Sequence, residues 1–434
     1  MNLIPLMTFL LTGAYLSWKT PAIRGFALVF TGVVLANRMA IEFFPEHRSY
    51  FTQLCFTASL LTCLRALFSQ GADLRPDRDR GLAGLLFLWA VAALVIHYIG
   101  ALIVGALLGV IGLECLRRGY WRWAGLLILA AVVAGTMLGA SLISQSTYLK
   151  ATAPHFWINT GPVAAFRYMV TVISAVVKAQ PVADVAAVLT VLALFLGGRW
   201  ADWGPGDWIK TVRRDALTFV APVGLGLIAA VGAVLIVNQI KPVVEMRYLI
   251  PMTAIAGALL AAICANILVA RWWLFGLFLV NVAATSALET RHVVRDNRWN
   301  TYIHAIRVQV QACPETRVYG LNPGFISNYN KPANEPEVED WGYGEMARAH
   351  GFTLTVLDPM KASPIVLARH CPTLFWGAHI EGVMGARELS AAPFTRALPP
   401  GVSLAAAKLF IDPHANPVET GFLLTLPPSD SPPT

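Results

Sequence analysis

Two uncharged apolar runs, Ala216 to Ile240 and Tyr248 to Ala270, are separated by seven residues that carry a lysine, a glutamate and an arginine. Each run is long enough to cross the roughly 30 Å of bilayer hydrocarbon as a helix. Nothing in hydrocarbon pairs with a free backbone amide, so a chain with such segments is restricted to helices that satisfy their own hydrogen bonds. Charges at the boundary of two such helices are either anchors reaching the headgroups or ligands for something charged that lies there. The connecting stretch, Lys241-Pro242-Val243-Val244-Glu245-Met246-Arg247-Tyr248-Leu249-Ile250-Pro251, fits both descriptions, a snorkelling Arg-Tyr anchor being the simpler one.

Composition extends the argument to the whole chain. Hydrophobic residues are 56% of the 434 and charged residues only 13%, with mean hydropathy +0.59, which defines a polytopic α-helical membrane protein. The apolar runs end near Leu288, so residues 1–289 are read as a transmembrane domain and residues 290–434 as a small extracytoplasmic α/β domain. From Thr290 onward there are 12 basic and 13 acidic residues, leaving 21 basic and 12 acidic before it. The net +8 therefore belongs to the membrane part, where it reports topology, and gives no argument for nucleic acid.

Taken in order, Leu3 to Trp18 is a short apolar run with no basic residue before it, unlike a signal peptide. Its first positive charges, Lys19 and Arg24, follow it, so its N-terminus is expected outside. Gly25 to Phe44 is expected as a second span, with Arg38 and Glu42 spaced i, i+4 as an ion pair. Phe51 to Leu64, Gly81 to Ile96, Ala101 to Leu116 and Ala124 to Ile143 follow. Val163 to Val177 is interrupted by Arg167 and is short for a span, so it is read as an interfacial helix. Ala186 to Gly197, Ala216 to Ile240, Tyr248 to Ala270 and Trp272 to Leu288 complete about ten spans. With this topology 14 Lys and Arg residues fall in cytoplasmic loops and six outside, as the positive-inside rule requires. The N-terminus and the C-terminal domain are then both expected outside.

In the tail, Asn300 to Ala312 reads as a helix and Gly344 to His350 as a second. Short apolar runs at Arg317–Leu321, Phe352–Leu357, Thr373–Trp376, Lys408–Ile411 and Phe422–Leu426 read as strands of an α/β domain. It has no Gly-rich phosphate loop, metal-ligand cluster or hydrolase elbow, so neither a metal nor another cofactor is expected. Cys55, Cys63, Cys115 and Cys264 lie in apolar runs as small core residues. Cys313 and Cys371 are the two cysteines of the tail, and in an oxidising compartment they are expected to form a disulfide.

The topology gathers charged and aromatic corners on the outer side: Glu46/Arg48/Tyr50, His97/Tyr98 and Lys241/Glu245/Arg247/Tyr248, with His155 and Trp157 in a further loop. Arginine forks and a lysine point charge at headgroup level suit a lipid phosphate, and neighbouring rings suit a sugar face. Each residue alone is more often an anchor, and three such corners on one face bring the two readings level. The expectation is that Arg247 faces a cavity open to the outer leaflet that Lys241, Glu46 and Arg48 also line.

The order of these features resembles the GT-C glycosyltransferases, in the branch of protein O-mannosyltransferases and the lipid A aminoarabinose transferase. The matching pieces are Pro45-Glu46-His47-Arg48-Ser49-Tyr50 leading into a span, His97-Tyr98 joining two spans, and Phe156-Trp157 after the sixth run. Glu245-Met246-Arg247-Tyr248-Leu249-Ile250-Pro251 and the terminal α/β domain complete the order. The resemblance implies transfer of a sugar from a polyprenyl-phosphate donor to an acceptor the sequence does not name. Such an inverting transfer needs a carboxylate to take the acceptor proton and positive charge on the leaving phosphate. It puts Arg247 on the donor phosphate and Glu46 and Arg48 at the family's Glu-x-Arg corner, and the clustering of outer charges adds Lys241 and Arg48 as phosphate ligands. Tyr50, His97, Tyr98, His155, Trp157, Glu245 and Tyr248 line the substrate.

The chain departs from the family in one large respect. There a first helix leads into a large outer loop with the acidic catalytic residue, and that unit is absent from this sequence. The expectation is either a start assigned too late or a shortened member whose base is replaced or lost, with Glu46, Glu42 and Glu245 as the nearby substitutes and Glu46 the first candidate. Alternative readings are a non-catalytic relative that binds a lipid-linked sugar, an oligosaccharide polymerase or ligase, or a lipid-sugar flippase. A polymerase would carry its large outer loop between spans, and a flippase would place charges through several span centres.

Overall fold

The computed structural model describes residues 2–44, 49–69, 79–146, 161–196, 208–242, 244–295, 298–321, 344–357, 365–381, 398, 407–410 and 419–429. They form two compact units, Met1–Thr290 and Arg291–Thr434.

The first unit is built of helices α1 (Leu3–Lys19), α2 (Arg24–Leu35), α3 (Arg38–Phe43), α4 (Ser49–Ser69), α5 (Arg80–Val95), α6 (Tyr98–Arg117) and α7 (Trp121–Ser144). It continues with α8 (Pro162–Lys178), α9 (Pro181–Leu196), α10 (Trp208–Asp215), α11 (Ala221–Ile240), α12 (Ile250–Ala270) and α13 (Trp272–Arg295). Among the described residues six helical stretches are long and apolar enough to cross a membrane: Ser49–Ser69, Tyr98–Arg117, Trp121–Ser144, Val212–Ile240, Met246–Ala270 and Trp272–Val293. The pair α8 and α9 adds a seventh if its two bent halves count as one span. Helix α1, with 17 residues, and the apolar stretches Pro21–Leu35 and Arg80–Val95 are shorter.

The second expected span is not one helix. Helix α2 stops at Leu35, and the Asn37 side chain accepts the Met39 N–H at 2.9 Å, capping the separate short helix α3. An asparagine oxygen that takes an N-terminal amide starts a new helix, which is why the chain turns there. Arg38 and Glu42 sit on α3 with their charges 3.9 Å apart, each side chain about half exposed.

Helices α4 and α12 are the most buried of the six. Helix α4 tolerates this despite its polar residues because its hydroxyls bond within the helix. Thr57, Ser59 and Thr62 donate to the carbonyls of Gln53, Cys55 and Ala58 at 2.8, 2.8 and 2.9 Å. Helix α12 is rich in alanine on every face, so neighbours approach its backbone closely, as small residues allow between membrane helices.

Between α8 and α9 the axis turns by 91° at Ala179-Gln180. The break is held by α13: Thr285 Oγ1 donates to the Ala179 carbonyl at 3.2 Å, and Asn281 Nδ2 donates to Gln180 Oε1 at 2.9 Å. Helix α8 is amphipathic, burying Ala165, Met169, Val172 and Val176 on one stripe.

The second unit packs α14 (Arg298–Ala312) on a five-stranded sheet of β1 (Arg317–Leu321), β2 (Thr355–Leu357), β3 (Thr373–Glu381), β4 (Lys408–Phe410) and β5 (Glu419–Leu426). The strand order is β2-β1-β3-β5-β4, with β1 parallel to β2 and β3, and β5 antiparallel to β3 and β4. Residues 344–349 are helical and lie in the connection between the parallel strands β1 and β2. Tyr302, Ile303 and Ile306 of α14 share a core with Val318, Leu374, Trp376 and Leu423. Cys313 and Cys371 are joined by a disulfide with Cα atoms 5.8 Å apart, tying the end of α14 to the start of β3.

Candidate functional site

Three corners of the helical unit meet at one end of the bundle. Gln53, on the first turns of α4, donates from Nε2 to the Ala93 carbonyl of α5 at 2.8 Å. Gly100, in the first turn of α6, has no room for a Cβ beside the Gln53 amide, 2.8 Å away. These two packings hold the start of α4 against the α5–α6 junction. The third corner is the α11–α12 connection. There Asn238 Oδ1 accepts the buried Val244 N–H at 3.1 Å, and residues Met246–Leu249 form a 3-10 turn.

The turn delivers Arg247 and Tyr248 into an aromatic cluster. The His97 and Tyr248 rings lie 4.7 Å apart, and Tyr50 lies 5.9 Å from His97 and 6.0 Å from Tyr248. Phe43 closes the far side of Tyr50 at 5.3 Å. The Arg247 guanidinium stands 5.5 Å from the Tyr248 ring centre and 6.0 Å from that of Tyr50, within cation–π range. Its Nε is ion-paired with Glu245, and both side chains keep about a fifth of their surface exposed. His97 is pushed below the ordinary histidine range, first by burial and then by the Arg247 charge. At neutral pH it is therefore an uncharged imidazole able to accept a hydrogen bond or a proton.

The expected residues divide. Tyr50, His97, Tyr248, Arg247 and Glu245 come together. Tyr98 does not join them: its hydroxyl lies 3.2 Å from Ser141 Oγ on α7, because successive residues at a helix start project in different directions. Lys241 is an exposed residue at the end of α11. Glu46, Arg48, His155 and Trp157 lie outside the described residues. Phe43 and Asn238 were not singled out from the sequence. Asn238 could have been, since a buried amide near the end of an apolar run needs a partner.

Chemically the cluster is a cation with an electron-rich lining, a carboxylate already bound to that cation, and a neutral imidazole beside it. It can take an anionic oxygen at Arg247 if Glu245 shares or yields the guanidinium, and a flat apolar face against the rings. No protein-family model, curated protein or solved structure matches the chain.

Proposed function

We propose that the chain is a membrane glycosyltransferase-like protein that takes a polyprenyl-phosphate-linked sugar at the periplasmic face of a bacterial inner membrane. In this reading it has about ten spans, formed by the six long helices, the bent pair, α1, α2 and α5. The N-terminus and the C-terminal α/β unit then lie on the periplasmic side. The observation that carries the reading is the Arg247 guanidinium, partly exposed, ion-paired with Glu245 and set over the rings of Tyr50 and Tyr248, with His97 against both rings. A guanidinium fixed in this way suits a phosphate oxygen, and the adjoining rings suit a sugar. The resemblance to the GT-C order of motifs supports the same assignment at Glu245 to Pro251.

In the transfer this implies, an acceptor hydroxyl attacks the anomeric carbon and its proton passes to a base. The carbon–oxygen bond to the phosphate breaks, and its electron pair leaves with the polyprenyl phosphate, whose charge Arg247 balances. Within the described cluster the basic groups are His97 and Glu245, while Glu46 remains the first carboxylate candidate from the sequence.

A second reading is favoured by the Glu245–Arg247 ion pair. A carboxylate bound to the phosphate ligand is a poor base, so a donor-binding protein without transferase activity fits the same geometry. Incubation of the purified chain with a radiolabelled polyprenyl-phosphate sugar and a bacterial envelope extract as the source of acceptor separates the readings. Retention with release of labelled product supports transfer, retention alone supports the binding reading, and no retention at saturating donor removes both.

A further inference from the structure

At the opposite end of α4 from Tyr50 the bundle buries a guanidinium with unused donors. Arg65 donates from Nη2 to Asp215 Oδ2 at 2.5 Å, and the two side chains are 5% and 2% exposed. The guanidinium lies 5.8 Å from the ring centre of Phe26 and 5.6 Å from that of Phe219. Its Nε and Nη1, like Asp215 Oδ1, are buried and have no hydrogen-bond partner among the described residues. Buried guanidinium hydrogens without acceptors are rare because desolvating them is costly.

The same arginine forms part of the wall of a cavity of about 320 Å³ between the start of α2 and the second half of α12. Its deep wall is Phe26, Arg65, Ala262 and Ala265, all buried, whereas Ala22 and Val269 are exposed. Asn266 adds an amide to the lining. The cavity therefore has the Arg65 cation among its buried residues and the Ala22 and Val269 side chains at its exposed edge. Arg214, adjacent to Asp215, also acts on Arg65 through its charge. Arg24 and Arg271 adjoin Gly25 and Ala270 of the lining, so the surroundings are net positive and suit an anion with several acceptor oxygens.

We propose that this cavity binds an anionic phosphate group, with the Arg65 guanidinium as its counter-charge and the Asn266 amide as a donor. The apolar rim suits the diester of an acidic phospholipid, whose glycerol and acyl portion would leave past Val269. A soluble phosphate shares the same headgroup chemistry but has no use for that rim. The site lies at the far end of α4 from the Arg247 cluster and does not depend on the glycosyltransferase reading.

The test is native mass spectrometry of the full chain extracted from nanodiscs of phosphatidylcholine containing phosphatidylglycerol, with inorganic phosphate as competitor. The wild-type chain should retain one phosphatidylglycerol in preference to phosphatidylcholine. Ala262→Leu, which fills the cavity and leaves Arg65 and Asp215 in place, should weaken that retention about tenfold or more, the scale of one lost charge-assisted contact. Asn266→Leu is the second variant should the first fail to fold. Displacement by millimolar inorganic phosphate would keep the phosphate site and assign it to a soluble ligand. Equal retention of both lipids, equal retention by wild type and the folded variants, or binding of neither probe would overturn the proposal.

Discussion

His97 and Tyr248 stack with ring centres 4.7 Å apart and planes 33° from parallel, joining the α5–α6 junction to the turn that carries Arg247. Burial and the Arg247 charge hold His97 below its ordinary 6.5, so the folded chain favours the neutral ring. A depressed histidine contributes stability that is fully present above the unfolded value and is lost as pH falls toward the folded one. The unfolding temperature in detergent should accordingly drop as pH is lowered through about 6.5, and His97→Phe should remove part of that drop. An identical acid-side slope in the variant would contradict the assignment.

The Arg65–Asp215 pair is buried on both sides, at 5% and 2% exposure. Removing one partner leaves an uncompensated buried charge, so Arg65→Met should cost about 3–5 kcal/mol. Arg65→Met combined with Asp215→Leu should recover most of that loss. Thermal unfolding of the single and double variants measures the difference, and a double variant as unstable as the single one would refute the pairing.

A Cβ on Gly226 would lie 2.5 Å from Leu107 Cδ1 and 3.2 Å from Leu107 Cα. The side chain can rotate away but the backbone cannot, so Gly226→Ala should separate α6 from α11 at a cost of about 1–3 kcal/mol. Adding Leu107→Ala relieves only the side-chain part. Partial rescue in the double variant is the expected outcome of the cycle.

Cys313 and Cys371 close a loop across a sequence separation of 58. Opening it should destabilise the C-terminal unit by roughly 4 kcal/mol on the loop-entropy estimate. The full chain with Cys313→Ser and Cys371→Ser should be cut by trypsin within residues 291–434 faster than wild type. Alkylation of both thiols in the unreduced chain would contradict the bond.

The long helices were legible because uncharged runs such as Ala216 to Ile240 leave the backbone no alternative in hydrocarbon. The tail helix and strands were legible within a few residues, since Arg317–Leu321 and Lys408–Phe410 are short apolar runs between polar stretches. The break at Asn37 was not read, because one capping oxygen competes against apolar residues on both sides. The turn at Ala179-Gln180, just before Pro181, was not read from the sequence either. Its angle depends on Asn281 and Thr285, about a hundred residues away. In the site, the clustering of Tyr50, His97 and Arg247 followed from topology and motif order. The separation of Tyr98 from His97 depends on side-chain direction, which spacing does not encode, and the Arg65 cavity arises from three segments distant in sequence.

The central claim is that Arg247 holds the phosphate of a lipid-linked sugar. Equilibrium binding of a polyprenyl-phosphate sugar to the full chain in nanodiscs tests it most directly, with wild type, Arg247→Ala and Arg247→Lys compared at one pH and salt concentration. Loss of a charge-assisted, forked contact should weaken binding by the alanine variant roughly ten- to hundredfold. Lysine should restore only part of it, because an ammonium cannot reproduce the fork. Unchanged affinity in Arg247→Ala, with the variant folded, would contradict the account.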